Sequence, residues 1–405
     1  MKVTMIGPFG LRPRMTMSAR ALPLAKALVA RGHTVTMLLP PWQNPEDAGR
    51  AWDEGSVRIE NMPLPAGVPG WFHWRLAASL ARRTRALQPD VIHIFKPKAY
   101  AGLAHLALGG RFPVVVDTDD WEGPGGWNDR SPYPAPLKAF FTWQERWGLA
   151  HARAVTVASR ALQTLVWATG RPPESVFYIP NGVAGGPPES VFYIPNGVAG
   201  GPPEAQTPEP ARPTLLLYTR FFEFKVTRLW RVVCAVRDVR PDVRLLVVGK
   251  GLFGEEAQLL ELARTQGYRL ADNAADTAAD LVYPGWVPAE ALPALFAQAT
   301  LALYPFDDTL LNRTKCPVKL MDLLAAGVPV VADAVGQIAE AIRPGETGIL
   351  VPPGDEAANV AAILALLDDQ QRRARGQRAA RDVHARFAWD NLVNIAEEAY
   401  DYAKR

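Results

Sequence analysis

Along the first 170 residues, short apolar runs alternate with longer amphipathic stretches. Val3–Ile6, Thr34–Leu39, Val91–Phe95, Val114–Val116 and Ala154–Val157 are apolar at most positions and rich in β-formers. A strand covered on both faces shows a continuous run of this kind, whereas a strand with one wet face alternates. Between the runs, Ser18–Ala30, Leu76–Leu87, Leu137–Ala150 and Arg160–Thr169 carry helical spacing. Strands that alternate with helices predict a parallel, doubly wound sheet. The pattern stops at 172–213, which is rich in Pro and Gly and has no helical period. It restarts with Thr214–Tyr218, Arg244–Val248, Leu281–Tyr283, Leu301–Tyr304, Val328–Val331 and Ile349–Val351. Two α/β domains follow from this pattern, one over 1–186 and one over 213–389, joined by a linker at 187–212. The last helix, 390–405, is expected to pack back on the first domain.

Within the Pro/Gly-rich segment, Pro172–Gly186 (PPESVFYIPNGVAGG) recurs unchanged at Pro187–Gly201. Two copies of 15 residues cannot build a solenoid. A sheet edge needs one Val-Phe-Tyr-Ile strand, and the first copy is favoured because it directly follows the helix ending near Gly170. The spare Ser-Val-Phe-Tyr-Ile is expected to lie exposed, as a mild aggregation hazard.

Composition narrows the class. At 405 residues, 48% hydrophobic and 21% charged, the chain can bury two cores, which excludes global disorder. A net charge of +3 is too small to argue for a nucleic-acid partner. Cys234 and Cys316 are too few for a disulfide framework, so a reducing cytoplasm is the expected compartment. Met1–Gly7 reads as a first strand and not as a signal peptide. No stretch of about 18 apolar residues is free of charge and proline, so no spanning helix is expected.

Ligands of open α/β sheets bind outside the carboxyl ends of the strands, and two such domains face to face make a central cleft. Residues just after strands are therefore the candidates. Gly7-Pro8-Phe9-Gly10 leads through Arg12 and Arg14 into a helix. Glycine there admits a ligand and the helix start favours an anion; a plain turn is the competing reading. Asp117-Thr118-Asp119-Asp120-Trp121-Glu122 puts four carboxylates after one strand, which is costly unless they are solvated, paired or used. Asp119 or Asp120 is a candidate to orient a hydroxyl or act as a base. A metal site, an aspartyl-phosphate and simple loop capping are the alternatives. Arg220 and Lys225, five residues apart after a strand, suit a diphosphate. Gly249-Lys250-Gly251 is a tight turn where backbone comes close to something. Farther on, Pro317 suits a first helical position with Cys316 as cap, so that Lys315 and Lys319 flank a helix start. Asp322, deeper in that helix, is placed to reach a ribose diol. His93 is a candidate for the cleft, with a structural role as the alternative.

These motifs, taken in order, resemble a GT-B glycosyltransferase of retaining family 4. Arg31-Gly32-His33-Thr34-Val35 is similar to the family's entry to strand two, and Ile179-Pro180-Asn181-Gly182-Val183 to the end of its first domain. Arg220 and Lys225 keep the spacing of its diphosphate-gripping pair. Val247–Gly251 resembles its Val-Gly-x-Gly turn, Asp322–Val331 its Glu-Ala-Met-Ala-x-Gly-x-Pro-Val-Val segment, and Gly345–Asp355 its closing segment. The chain departs from the family where one of two glutamates falls on Thr314 and the other on Asp322. Its usual Phe-Gly is Cys316-Pro317, and a common histidine falls on Asp119. The resemblance implies two Rossmann-like domains facing a cleft. It also implies a nucleoside-diphosphate sugar as donor and a glycan or lipid-linked hydroxyl as acceptor, with retention of configuration and no metal or other cofactor. Arg220, Lys225, Asp119 and Asp120 would be catalytic. Gly249, Gly251, Thr314, Lys315, Val318, Lys319 and Asp322 would bind donor, with Gly10, Arg14, His93 and Trp121 on the acceptor side. A binding protein that has lost transfer and a GT-B sugar-nucleotide epimerase are the alternatives.

Trp71, Arg75, Arg82 and Arg85 share one face of a helix, with Phe72, Leu76 and Leu80 on another. Such a face suits peripheral contact with anionic lipid at the inner membrane surface; a solvated face over a core stripe is the alternative. Phe140-Phe141-Thr142-Trp143 and the loop Trp121–Trp127 are read either as an acceptor platform or as core.

Overall fold

A computed structural model describes residues 1–12, 16–67, 69–183, 210 and 212–405. The chain divides into two compact units. The first comprises Met1–Gly182, Thr314–Cys316 and Trp389–Arg405; the second comprises Val183–Arg313 and Pro317–Ala388.

The first unit carries β1 (Lys2–Ile6), β2 (Thr34–Leu39), β3 (Ala51–Glu54), β4 (Val57–Asn61), β5 (Val91–Phe95), β6 (Val114–Thr118), β7 (Ala154–Val157) and β8 (Val176–Tyr178). Their order is β3-β4-β2-β1-β5-β6-β7-β8, parallel throughout except for the β3–β4 hairpin at one edge. Both faces are covered, which explains the unbroken apolar runs. Along β5, Val91 and Phe95 pack with the helices Leu22–Ala30 and Trp389–Lys404, while Ile92 and Ile94 pack with Pro69–Leu87 and Ala99–Leu108. The hairpin was not predicted, because Ala-Trp-Asp-Glu and Val-Arg-Ile-Glu-Asn have the polar look of an edge.

Two boundaries moved for reasons of proline chemistry. Over the stretch predicted as one helix from Ser18, a π-helical turn spans Thr16–Ala21 and the α-helix starts at Leu22. Pro23 has no N–H to give to a regular turn before it, and the wider turn absorbs the loss. In the second unit, the strand expected at Val328–Val331 runs Val330–Asp333, after Pro329.

The first copy of the repeat supplies β8, which pairs parallel with β7. The second copy lies outside the described residues. Trp389–Lys404 belongs to the first unit and buries Trp389, Leu392, Val393, Ala396 and Tyr400 there.

The second unit carries β9 (Thr214–Tyr218), β10 (Arg244–Val248), β11 (Leu270–Ala271), β12 (Leu281–Gly285), β13 (Leu301–Tyr304), β14 (Val330–Asp333) and β15 (Ile349–Val351). The order is β11-β12-β10-β9-β13-β14-β15, all parallel. Leu215 and Leu217 face the helices Val226–Val239 and Glu356–Asp368, and Leu216 faces Val318–Ala325 and Arg372–Phe387. Parallel strands place all their carboxyl ends on one rim, so the candidate residues of each unit gather there.

Candidate active site

In the first unit, the carboxylates at and after the end of β6 are all paired with cations. Asp117 is fully buried and takes a bidentate pair from Arg20, Nε to Oδ1 at 2.8 Å and Nη2 to Oδ2 at 2.6 Å. Burial works against the guanidinium charge, but Asp117 outweighs it and holds the Arg20 pKa above its ordinary value. Arg20 also donates to Ile179 O at 2.9 Å and Asn181 Oδ1 at 3.2 Å, which ties β8 and the turn after it to β6.

Lys96, just past β5, is the hub of the next set. Its Nζ lies 2.7 Å from Asp120 Oδ2, 3.3 Å from Asp119 Oδ1 and 3.8 Å from Glu122 Oε1. Lys98 takes Glu122 at 2.6 Å and Asn128 Oδ1 at 3.0 Å. Lys96 and Ala99 both sit at positive φ, 53° and 51°. Non-glycine residues rarely hold that conformation; here Lys96 N donates to Asp117 O at 2.9 Å and Ala99 N to Gln144 Oε1 at 2.9 Å.

Charge is tuned unequally across the pair. Burial pushes Asp119 up to about 6, helped by Asp120 and Asp117 and opposed by Lys96. Burial also opposes ionisation of Asp120, but Lys96 and Lys315 outweigh it and hold that carboxyl below its ordinary range. Thr16 Oγ1 donates to Asp119 Oδ2 at 2.6 Å. Asp120 is therefore the carboxylate fixed in its ionised form, and Asp119 is the one able to carry a proton near neutrality. Beneath the loop, Glu145 accepts from Glu122 N at 3.0 Å, and burial raises it to about 8. Among the described residues, no group of three or more His, Cys, Asp or Glu side chains is arranged to hold a metal ion.

Two acceptor-side expectations are corrected here. His93 lies inside β5, fully buried, between Tyr400 OH at 2.8 Å from Nδ1 and Thr156 Oγ1 at 3.2 Å from Nε2. Thr156 spends its proton on Asp117 Oδ2 at 2.6 Å, so its oxygen accepts from His93 Nε2–H and Nδ1 accepts from Tyr400. Burial lowers the imidazole to about 4, which keeps it neutral. Trp121 is buried in the core, its indole donating to Pro124 O at 3.0 Å, because Gly123 and Gly126 leave room for its own loop to fold over it. Gly10 is buried in the turn after β1 and has no close neighbour that demands glycine. Arg14 lies outside the described residues.

In the second unit, the loop from Arg220 to Lys225 is buried in its middle and exposed at its two ends. Phe221, Phe222 and Phe224 are buried, and Phe221 holds a φ of 67° with its N–H on Thr219 Oγ1 at 2.8 Å. Those rings anchor the loop, leaving Arg220 and Lys225 exposed at its two ends. Among the described residues neither cation has an ion-pair partner. Lys225 is also the N-cap position of Val226–Val239, a helix start that itself favours an anion. Beside them, Lys319 Nζ sits 3.4 Å from the centroid of Tyr218. A small cavity at the ends of β9 and β13 is lined by Tyr218, Thr219, Glu223, Pro305 and Lys319.

The tight turn at Gly249 is forced by the protein itself. Gly249 has φ 125°, donates to Gly285 O at 2.8 Å, and a Cβ there would collide with Thr219 O. Gly251 N donates to Glu256 Oε2 at 2.9 Å, so an internal carboxylate already occupies that amide. The close partner expected at this turn is thus Thr219 for one glycine and the start of Glu255–Thr265 for the other.

The helix after Cys316 is shifted by one residue from expectation. It runs Val318–Ala325 with Pro317 as N-cap, and Cys316 does not cap it. Cys316 instead accepts from Asn181, Sγ from N at 3.1 Å and O from Nδ2 at 2.9 Å. Thr314, Lys315 and Cys316 pack as part of the first unit. Thr314 is fully buried there, its carbonyl accepting from Ser159 Oγ at 2.7 Å, and Lys315 stands over the Trp127 ring at 5.8 Å. Val318 and Asp322 lie on the second unit's helix; Asp322 is buried, and burial raises its carboxyl well above the ordinary range.

Several site residues escaped the sequence reading. Lys96 and Lys98 follow a strand end, the very rule that singled out Asp119, and could have been found by it. Arg228 could not: it is buried against Asp333 at 2.8 Å and Asp307 at 3.1 Å, and so braces the loops after β13 and β14. Nothing local marks an arginine within a helix for that task.

The sequence matches the Glycosyl transferase 4-like domain over residues 16–182 and Glycosyl transferases group 1 over residues 212–369. The chain belongs to the group 1 glycosyltransferases of GT-B fold, and it is an enzyme of that class. Among its relatives is a phosphatidyl-myo-inositol mannosyltransferase of Mycobacterium leprae, 24% identical over 99% of this chain and 96% of that protein. Similar solved structures include a sucrose-phosphate synthase from Thermosynechococcus elongatus, with TM-score 0.70 and 20% identity over 99% and 98% of the two chains. Another is HepE of Anabaena in complex with UDP-glucose, with TM-score 0.65 and 17% identity over 98% of each chain. At such identities these structures establish the fold.

Proposed function

We propose that this enzyme moves a sugar, with retention at the anomeric carbon, from a nucleoside-diphosphate sugar to a hydroxyl of a glycan or lipid-linked acceptor. The setting is cell-surface polysaccharide or glycolipid synthesis. One observation carries the reading. Arg220 and Lys225 are exposed, held by a rigid aromatic loop, and without ion-pair partners among the described residues, next to a helix start and Lys319. Unpaired cations at a strand rim are placed to grip a diphosphate.

As the glycosyl bond breaks, the leaving diphosphate gains negative charge. Fixed cations stabilise that charge more in the transition state than in the ground state, and that difference is what accelerates transfer. No metal is required in this scheme, since the side chains supply the positive charge. In the first unit, ionised Asp120 orients the acceptor hydroxyl, and Lys96 keeps it in place.

The test is release of nucleoside diphosphate from UDP-, GDP- and dTDP-sugars, with and without acceptor and with and without EDTA. Magnetic resonance of the product reports the anomer. Acceptor-dependent release, insensitive to EDTA and with retained configuration, is expected. Nucleotide binding with no release under any acceptor, or an inverted product, would contradict the reading.

A further inference from the structure

Three helices of the first unit form one layer on the same face of its sheet. Ala99–Leu108 packs between Pro69–Leu87 and Ala135–His151. Each links parallel strands, so each starts at the rim where the strands end. Near that rim, Trp71 and Trp74 are 68% and 59% exposed on one flanking helix. On the other flanking helix, Phe140 and Trp143 are 36% and 47% exposed, stacked at 5.9 Å with Leu137 beside them. The two aromatic groups stand two helix spacings apart, roughly 20 Å at 8–10 Å per spacing.

The charge of this layer has a single sign. The three helices together contain one carboxylate, Glu145, and it is buried beneath the Asp119 loop. Their outward cations are Arg75, Arg82, Arg83, Arg85, Lys138 and Arg146, of which Arg83 is paired with Glu60 of β4 at 2.7 Å. Among the described residues, Arg75 and Arg85 bond only carbonyls, Ala66 O and Ala107 O, and so keep their full charge for another partner. On Pro69–Leu87, Trp71, Trp74, Arg75, Arg82 and Arg85 fall on one exposed stripe, opposite the buried Leu76, Leu80 and Thr84.

We infer that this layer is a docking surface for an anionic phospholipid bilayer. Tryptophan rings suit the headgroup boundary, and arginines beside them meet lipid phosphates. A second copy of the chain would set like charges against each other. A soluble polyanion would satisfy the arginines but leave Trp71 and Trp74 in water. This inference stands apart from the sugar-transfer reading, since it needs no donor.

The experiment is co-sedimentation of the whole chain with vesicles of phosphatidylcholine alone or mixed with phosphatidylglycerol, at low and high salt. Binding to the mixed vesicles, weakened by salt and accompanied by a blue shift of tryptophan emission, is expected. Trp71→Ala with Trp74→Ala is expected to weaken partitioning about tenfold, and Arg82→Glu with Arg85→Glu to remove the preference for anionic lipid. Circular dichroism should be unchanged, because all four side chains are exposed. The inference is overturned if the wild type stays in the supernatant with both vesicle types, or if both variants sediment like the wild type. It is equally overturned if the tryptophan variant merely dissociates a dimer, or if heparin is bound while vesicles are not.

Discussion

The loops after β6 and after β9, at the rims of the two sheets, treat charge in opposite ways. At the first, Asp117 meets Arg20, Asp119 and Asp120 meet Lys96, and Glu122 meets Lys98. At the second, Arg220 and Lys225 meet no carboxylate among the described residues. A paired, buried charge is already satisfied; its removal damages the fold and the position of its partner. An unpaired, exposed cation adds little to stability and is available to an incoming anion. The same topological position thus holds paired charges in one unit and exposed, unpaired cations in the other.

The largest effect should come from the exposed pair. Arg220→Ala or Lys225→Ala is expected to lower kcat/KM about a hundredfold each, on the order of 3 kcal/mol, and the double variant more. Melting temperature should hardly move, since surface substitutions usually stay within about 0.5 kcal/mol. A double variant with full turnover would erase the distinction between the rims.

Arg20→Met should show the reverse pattern. It strands Asp117 in the interior, at a cost of about 3–5 kcal/mol read by urea unfolding. Unchanged stability would mean that Asp117 finds solvent.

The buried His93 gives a pH dependence. Its folded pKa, about 4, lies below the ordinary 6.5, so the unfolded chain binds the proton first as pH falls. Stability is therefore lost from pH 6.5 down to 4, by about 3 kcal/mol in full. His93→Gln should flatten that part of the curve in a series of denaturant titrations.

A smaller effect sharpens the donor side. Gly249→Ala forces a Cβ against Thr219 O at positive φ, with an expected cost of about 1–3 kcal/mol. Because Thr219 precedes Arg220, nucleotide affinity measured by calorimetry should fall along with stability.

Much of this was readable because it is local. The apolar runs of β1, β2, β5, β7, β9, β10 and β13 follow from burial on both faces, and Arg220 and Lys225 are fixed by their spacing in one loop. The edge hairpin β3–β4 was not legible, since an edge strand need not be apolar. Nor was the role of Cys316, whose neighbour Pro317 suggested a cap where the thiol instead accepts from Asn181.

The sequence alone determined the two doubly wound units, the rim on which candidates gather and the spacing of Arg220 and Lys225 in one loop. Each of these depends on periodicity or short spacing. Only the tertiary structure decided which charges are free to act. Arg20 and Asp117 are 97 positions apart, and His93 and Tyr400 are 307 apart. Pairing at such distances is set by strand order and by the return of the last helix, and no pattern along the chain encodes it.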